Sequence, residues 1–180
     1  AVIAELPPLK LDRARFETAI ETDAGKPGPH GIDRIEFMVA ANPGTPLAPL
    51  MKVASGGELA RFMLALKVIL AARGSAPTLI FDEIDTGVGG AVADAIGARL
   101  ARLAEKLQVL AVTHSPQVAA RAAQHMLISK MEEVASKRMV TRVQSLSTQS
   151  RREEVARMLS GAQVTEAARA QADELLGARG

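Results

Sequence analysis

Two short apolar runs, "TLIF" (78–81) and "VLAVT" (109–113), each stop at residues that can do chemistry, and one amphipathic stretch separates them. Between them Val88, Val92, Ile96, Leu100, Leu103 and Leu107 recur in steps of four, three and four. That period places them on one face of a helix over roughly 88–107. A strand, a helix and a second strand joined by short connections form a βαβ unit. The two strands of such a unit lie parallel and their crossover is right-handed. Parallel strands aim their carboxyl ends at one edge of the sheet, where open α/β folds bind ligands. Asp82-Glu83 after the first run and His114 after the second are therefore predicted to share an edge.

Adjacent carboxylates repel one another, and a cation or a general-base role would justify placing them together at a strand end. A Mg²⁺ held through Asp82, with Glu83 orienting or deprotonating a water, meets both conditions. The plainer alternative is a strand running into a turn, with Asp85 or Thr86 capping the next helix. His114 is read as a polar contact to phosphate or to an attacking water. His30, in a Gly/Pro loop, and His125, at a strand start, carry no such argument, and three scattered histidines without ligand spacing argue against zinc.

Upstream, "SGGELAR" (55–61) opens a helix expected over about 55–73. Ser55 and Glu58 fit a capping box. Capping leaves the glycines Gly56 and Gly57 unexplained, since each costs a helix about 1 kcal/mol relative to alanine. Two missing β-carbons would let an anion approach the backbone N–H groups and the positive end of the helix dipole. No Gly-Lys-Ser/Thr loop accompanies this start: "GKPGPH" (25–30) lacks both the hydroxyl residue and the helix. There is no Gly-x-Ser-x-Gly elbow, and the Ser-Gly pair of "LSGAQ" (159–163), whose Ser160 could cap a helix, reads as structural.

The flanks differ in kind. "ARFETAIE" (14–21) alternates as a half-buried strand, 22–32 is a Gly/Pro/Asp turn region, "DRIEFMVAA" (33–41) is a second strand and 42–50 an irregular connector. This opening is predicted antiparallel. Downstream come a short helix from Pro116, strands over 125–130 and 138–146, and helices near 150–160 and 164–177. The chain starts at Ala1 inside an apolar "AVIAEL" that reads as a strand, which suggests a piece cut from something longer. Three segments result: 1–50, 51–131 and 132–180.

Composition narrows the function classes. Hydrophobic residues make up 48% of 180, enough for a core, while four Phe and no Tyr or Trp leave nothing for a base-stacking platform. A net charge of +2 does not by itself indicate nucleic acid. The clusters Arg99/Arg102/Lys106, Lys137/Arg138 and Arg151/Arg152 read as solvated faces. The absence of cysteine excludes disulfides and thiol catalysis, and no apolar run has membrane-spanning length.

Taken in order, these motifs resemble the C-terminal half of an ABC-type ATPase head. "SGGELAR" is similar to the signature motif, "TLIFDE" to the Walker B strand, "IDTGVGG" (84–90) to the D-loop and "VTHSPQ" to the His switch. Within that superfamily the stretches "NPGTPLAPLMKVASGGELAR", "LIFDEIDTGVGG", "THSPQVAARAAQH" and "EEVARMLSGAQVTEAA" resemble the RecN family of bacterial SMC-like double-strand-break repair proteins. The resemblance implies an α/β fold, the C-terminal lobe of an ABC/SMC-type head with a mostly parallel sheet flanked by helices and a short antiparallel N-terminal portion. It implies ATP and Mg²⁺ as cofactors, with Asp82 holding the metal through water, Glu83 as general base and His114 at the γ-phosphate or attacking water. Ser55, Gly56 and Gly57 would bind the γ-phosphate held by an opposite head, Glu58 would complete that stretch, and Asp85 would help couple the two sites.

Implied partners are the Walker A half of the same protein, a second head in an ATP-dependent homodimer, and DNA through the intact protein, with no membrane. The implied location is cytoplasmic and nucleoid-associated. Without the Walker A lysine the 180 residues alone are expected not to bind ATP appreciably. The alternatives are another SMC-like head that organises chromosomes, or a non-catalytic module that kept an ATPase-derived fold.

Overall fold

The computed structural model describes residues 1–52, 56–70, 76–133, 138–161 and 163–177. The chain opens with a four-residue helix α1 (Val2–Glu5) and a 3₁₀ turn at Pro7–Leu9. The strand expected at "AVIAEL" is therefore a helix. The helix itself buries no residue, whereas Leu6 just after it and Leu9 in the 3₁₀ turn are sealed in the core. Its Glu5 takes Arg99 at 3.1 Å and Arg102 at 2.6 Å, so one basic cluster is an intramolecular clasp.

Strands β1 (Arg15–Thr22) and β2 (Asp33–Ala40) pair antiparallel from Arg15↔Ala40 to Thr22↔Asp33, as expected. A two-residue strand β3 (Ala48–Pro49) adds to β2 inside the connector. The expected half-burial of β1 holds only at its base. Phe16 packs on the core and meets Phe37 at 5.4 Å, but the directly paired Ile20 and Ile35 are both exposed. Alternation sets which residues share a face; it does not supply an element to cover that face.

Helix α2 (Gly56–Leu70) leads to β4 (Thr78–Asp82), helix α3 (Gly90–Ala104) and β5 (Gln108–Val112). The pair β4–β5 is parallel, in register from Thr78↔Gln108 to Asp82↔Val112. Val92, Ile96, Leu100 and Leu103 on α3 are buried in one cluster with Phe81 of β4 and Phe62, Leu64 and Leu66 of α2. One face of the parallel pair is thereby covered. On the other face Ile80, Leu110 and Val112 stand exposed.

Helix α4 (Pro116–Arg121) is followed by β6 (Met126–Glu133) and β7 (Arg138–Ser145), then α5 (Thr148–Ser160) and α6 (Glu166–Gly177). The sheet is not mostly parallel. Among the described residues parallel pairing is confined to β4–β5, and β6 pairs antiparallel with β7 in a separate two-stranded sheet. A period of two marks β6 as a strand but does not choose its neighbour. Val155, Ala156, Ala168 and Ala172 form a second small core between α5 and α6. Ser160 closes α5 by donating back to the carbonyl of Ala156, a structural role as expected.

Candidate functional site at the β4–β5 edge

The register Asp82↔Val112 brings the two strand ends level, so Glu83 and His114 leave the sheet from one edge. Asp82, Glu83 and His114 are all exposed there. The amide of Glu83 donates to the carbonyl of Val112 at 3.0 Å, which carries the β4–β5 ladder one residue past the strand. Glu83 has φ of 48°, a left-handed backbone that non-glycine residues seldom adopt. Strain of that kind collects at functional sites, because a surrounding structure must impose it. Glu83 is exposed in this conformation, next in sequence to the exposed Asp82.

Of the plainer reading of these acids, the strand does run into a turn, but neither Asp85 nor Thr86 caps the next helix. The residue before α3 is Gly89, and no side chain caps that helix. Asp85 instead points inward. It is 3% exposed, accepts from the Thr113 hydroxyl, and accepts from the Ser115 amide at 3.2 Å. Within the lobe this carboxylate is engaged by residues that follow β5. Sequence reading missed Thr113 and Ser115 as its partners; the Thr-His-Ser triplet at a strand end was the available signal.

Ser55 lies outside the described residues, as do residues 71–73 of the helix expected over 55–73 and Lys137 of the basic clusters. Gly56 begins α2, is exposed, and a β-carbon built there meets no described atom within 4 Å. Among the described residues, none requires a glycine at 56. Gly97 differs: a β-carbon there would meet Arg121 Cγ at 2.9 Å, so its glycine is a packing requirement. Among the described residues the place a β-carbon would take at Gly56 is open, which fits an anion approaching this end of α2.

A divalent cation also fits the donor set. Mg²⁺ takes one or two carboxylates and fills its remaining positions with phosphate oxygens and water. Among the described residues no group of three or more His, Asp or Glu could hold a metal alone, so Asp82 offers a one-carboxylate hold. A separate cavity of about 610 Å³ between β2, α2 and β4 is lined mainly by Ile35, Phe37, Leu50, Met63, Leu66 and Leu79. It contains none of the edge residues.

His30 is exposed in its loop, and His125 behaves as a structural group. His125 lies half-buried at the start of β6, and burial followed by the nearby Arg151 charge pushes its pKa below the usual value, with Glu154 opposing. Arg151, expected on a solvated face, is buried and donates to the carbonyls of Ala119, Ala120 and Ala122. Arg152 pairs with Asp173 at 2.6 Å, which ties α5 to α6.

No family model matches the chain. Individual relatives do. The DNA repair protein RecN of Vibrio cholerae is 42% identical over 168 residues, which is 93% of this chain and 30% of that protein. RecN of Rickettsia conorii is 46% identical over 172 residues, 96% of this chain and 31% of the relative. RecN of Streptomyces coelicolor is 44% identical over 187 residues, 98% and 32%. The chain spans about a third of the length of these curated relatives. Among solved structures, an Smc head domain with a coiled coil and joint from Pyrococcus yayanosii superposes with a TM-score of 0.63 at 21% identity, over 85% of this chain and 27% of that one. An Smc head bound to the C-winged helix domain of ScpA gives 0.59 at 21% identity, over 82% and 41%. The α/β fold is that of an SMC head domain. Among the described residues, no helix is long and apolar enough to cross a membrane.

Proposed function

Since the chain belongs to the RecN family across nearly its whole length, we propose that it is the C-terminal ATPase lobe of a protein acting in DNA double-strand-break repair and recombination. In this reading the lobe contributes signature, Walker B and His-switch residues to ATP hydrolysis between two heads. The observation that carries it is the strained Glu83, φ 48°, set beside exposed Asp82 at the edge from which His114 also emerges. A strained, outward carboxylate next to a second carboxylate suits a general base better than a fold-stabilising group.

Each residue has a defined task. Glu83 accepts the proton of the attacking water, and His114 holds that water or the γ-phosphate by a hydrogen bond. Asp82 holds Mg²⁺, which when bound neutralises phosphate charge. Ser55, Gly56, Gly57 and Glu58 present the start of α2 to the γ-phosphate of nucleotide held by a second head. Open space in front of Gly56 supports that arrangement.

The lobe needs the Walker A half of the same protein, and an exposed face supports this. Parallel strands are normally covered on both faces, yet Ile80, Leu110 and Val112 of the parallel pair are exposed. The lobe alone is accordingly inactive. The intact protein works on DNA in the cytoplasm, at the nucleoid.

The test is Glu83→Gln in the full-length protein. Positioned general bases contribute roughly 10²–10⁴-fold, so turnover falls by that order while ATP binding persists. Turnover within a few-fold of the parent would reject Glu83 as the base, and a parent with no turnover at all would leave a non-catalytic module as the better description.

A further inference from the structure

His114 is flanked by two residues that are tied to the same buried carboxylate. Thr113 donates its hydroxyl to Asp85 Oδ2, and the Ser115 amide lies 3.2 Å from that oxygen. The Ser115 amide also lies 2.9 Å from Thr113 Oγ1, which closes a small ring around the base of the histidine. Asp85 sits two residues after Glu83, on the turn that follows β4. The carboxylate thus links the chain leaving β4 to the chain leaving β5.

This link is an expensive way to hold a turn. Burying a carboxylate is unfavourable unless hydrogen bonds satisfy it. Asp85 is 3% exposed, and its Oδ1 is enclosed without a hydrogen-bond partner among the described residues. It caps no helix, because Gly89 precedes α3. Ser115 precedes α4 without capping it through its side chain; its hydroxyl instead lies 2.9 Å from Gln117 Oε1. The bonds to Asp85 therefore fix residues 113 and 115 rather than a helix end. Fixing both neighbours leaves the exposed His114 few directions in which to point.

We infer that Asp85 is a positioning residue: through the Thr113 hydroxyl and the Ser115 amide it sets the loop that presents His114 at the β4–β5 edge. The role is internal to one lobe, and it rests on the reading of His114 as a site residue given above. It also ties the placement of His114 to the turn that carries Glu83, so the two groups move as one unit.

The test uses the full-length protein with Thr113→Val, Thr113→Ser, His114→Ala and the Thr113→Val/His114→Ala double variant. Thr113→Val removes the donor at nearly constant shape. It should lower kcat about tenfold with KM within about twofold, and Thr113→Ser should restore most of the rate. In the His114→Ala background the valine should have no further effect, because residues acting through one group are not additive. Without nucleotide, Thr113→Val should speed amide exchange over 113–116 about tenfold and leave α3 protection unchanged.

An additive effect in the double variant, or unchanged exchange over 113–116, overturns the inference. If His114→Ala alone leaves kcat unaltered, the reading of His114 as a site residue fails. The exchange result then decides the link by itself: acceleration upholds Asp85 as the anchor of this loop, and its absence rejects it.

Discussion

Gly97 on α3 and Arg121 on α4 meet so closely that a β-carbon on the glycine would stand 2.9 Å from Arg121 Cγ and 3.3 Å from the carbonyl oxygen of Gln117. Arg121 cannot easily swing away, because its guanidinium holds Asp94 through Nε at 3.1 Å and Nη2 at 2.9 Å. Gly97→Ala would gain about 1 kcal/mol of helix propensity. Overpacking costs about 1–3 kcal/mol, and here the obstacle includes backbone. The net expectation is a loss of about 1 kcal/mol, read as a lower urea midpoint. In an Arg121→Ala background the same substitution should become neutral or stabilising. A stabilised single variant would show that α3 and α4 are not packed this tightly.

Arg151 makes a comparable tie from the other side. Its Nη2 reaches the carbonyls of Ala119, Ala120 and Ala122 at 3.0, 3.0 and 2.6 Å, the last of these being the residue after α4. A six-residue helix leaves most of its carbonyls without internal partners, and a cation at that end also meets the helix dipole. Arg151→Ala is expected to cost about 2–4 kcal/mol, since hydrogen bonds to charged groups are the stronger class and several carbonyls would be left buried. Arg151→Lys should recover only part of this, because an ammonium is a point donor without a planar fork. Equal stability of the lysine and arginine forms in urea titration would count against the fork.

His125 gives the fold a pH dependence of definite sign. Burial and the Arg151 charge hold its folded pKa below the ordinary 6.5, against the opposing Glu154. Above 6.5 the imidazole is neutral in both states and its contribution is fully present. As pH falls below that value the unfolded chain takes up the proton first, so stability declines until the folded pKa is also passed. The urea midpoint should therefore be lower at about pH 5.5 than at about pH 7.5. His125→Gln should shrink that difference. A difference unchanged in the variant would assign the pH dependence to other groups.

The β4–α3–β5–α4 unit was legible because each element carries its own period. Val92, Ile96, Leu100 and Leu103 repeat at helical spacing and are all buried, and the strands end where the chemistry begins. What was hidden depends on elements that a local pattern cannot name. Ile20 and Ile35 alternate as strand residues should, yet both are exposed, because alternation says nothing about what lies opposite. β6 reads as a strand but pairs with β7, a choice that its own alternation does not make. Arg151 reads as a surface charge and Asp85 as a helix cap or a coupling residue, and both are buried. Each is held by atoms about thirty residues away in sequence, Ala119–Ala122 for one and Thr113–Ser115 for the other.

Gly56 separates folding from function most cleanly. A β-carbon there meets no described atom within 4 Å, at an exposed first position of α2. For stability, Gly56→Ala should be neutral or slightly favourable, with a gain of up to about 1 kcal/mol. For ATP hydrolysis by the full-length protein it should be damaging. A methyl group in front of the helix start keeps a phosphate from its backbone donors, and displacement of about an ångström can cost on the order of 10²-fold. The defect should appear only where two heads must meet: nucleotide binding to a single head stays intact while ATP-dependent dimerisation and turnover fall together. A variant that keeps full turnover would show that the glycine serves something other than a phosphate at this helix start. A variant that loses stability instead would place a covering element against Gly56 within the same protein.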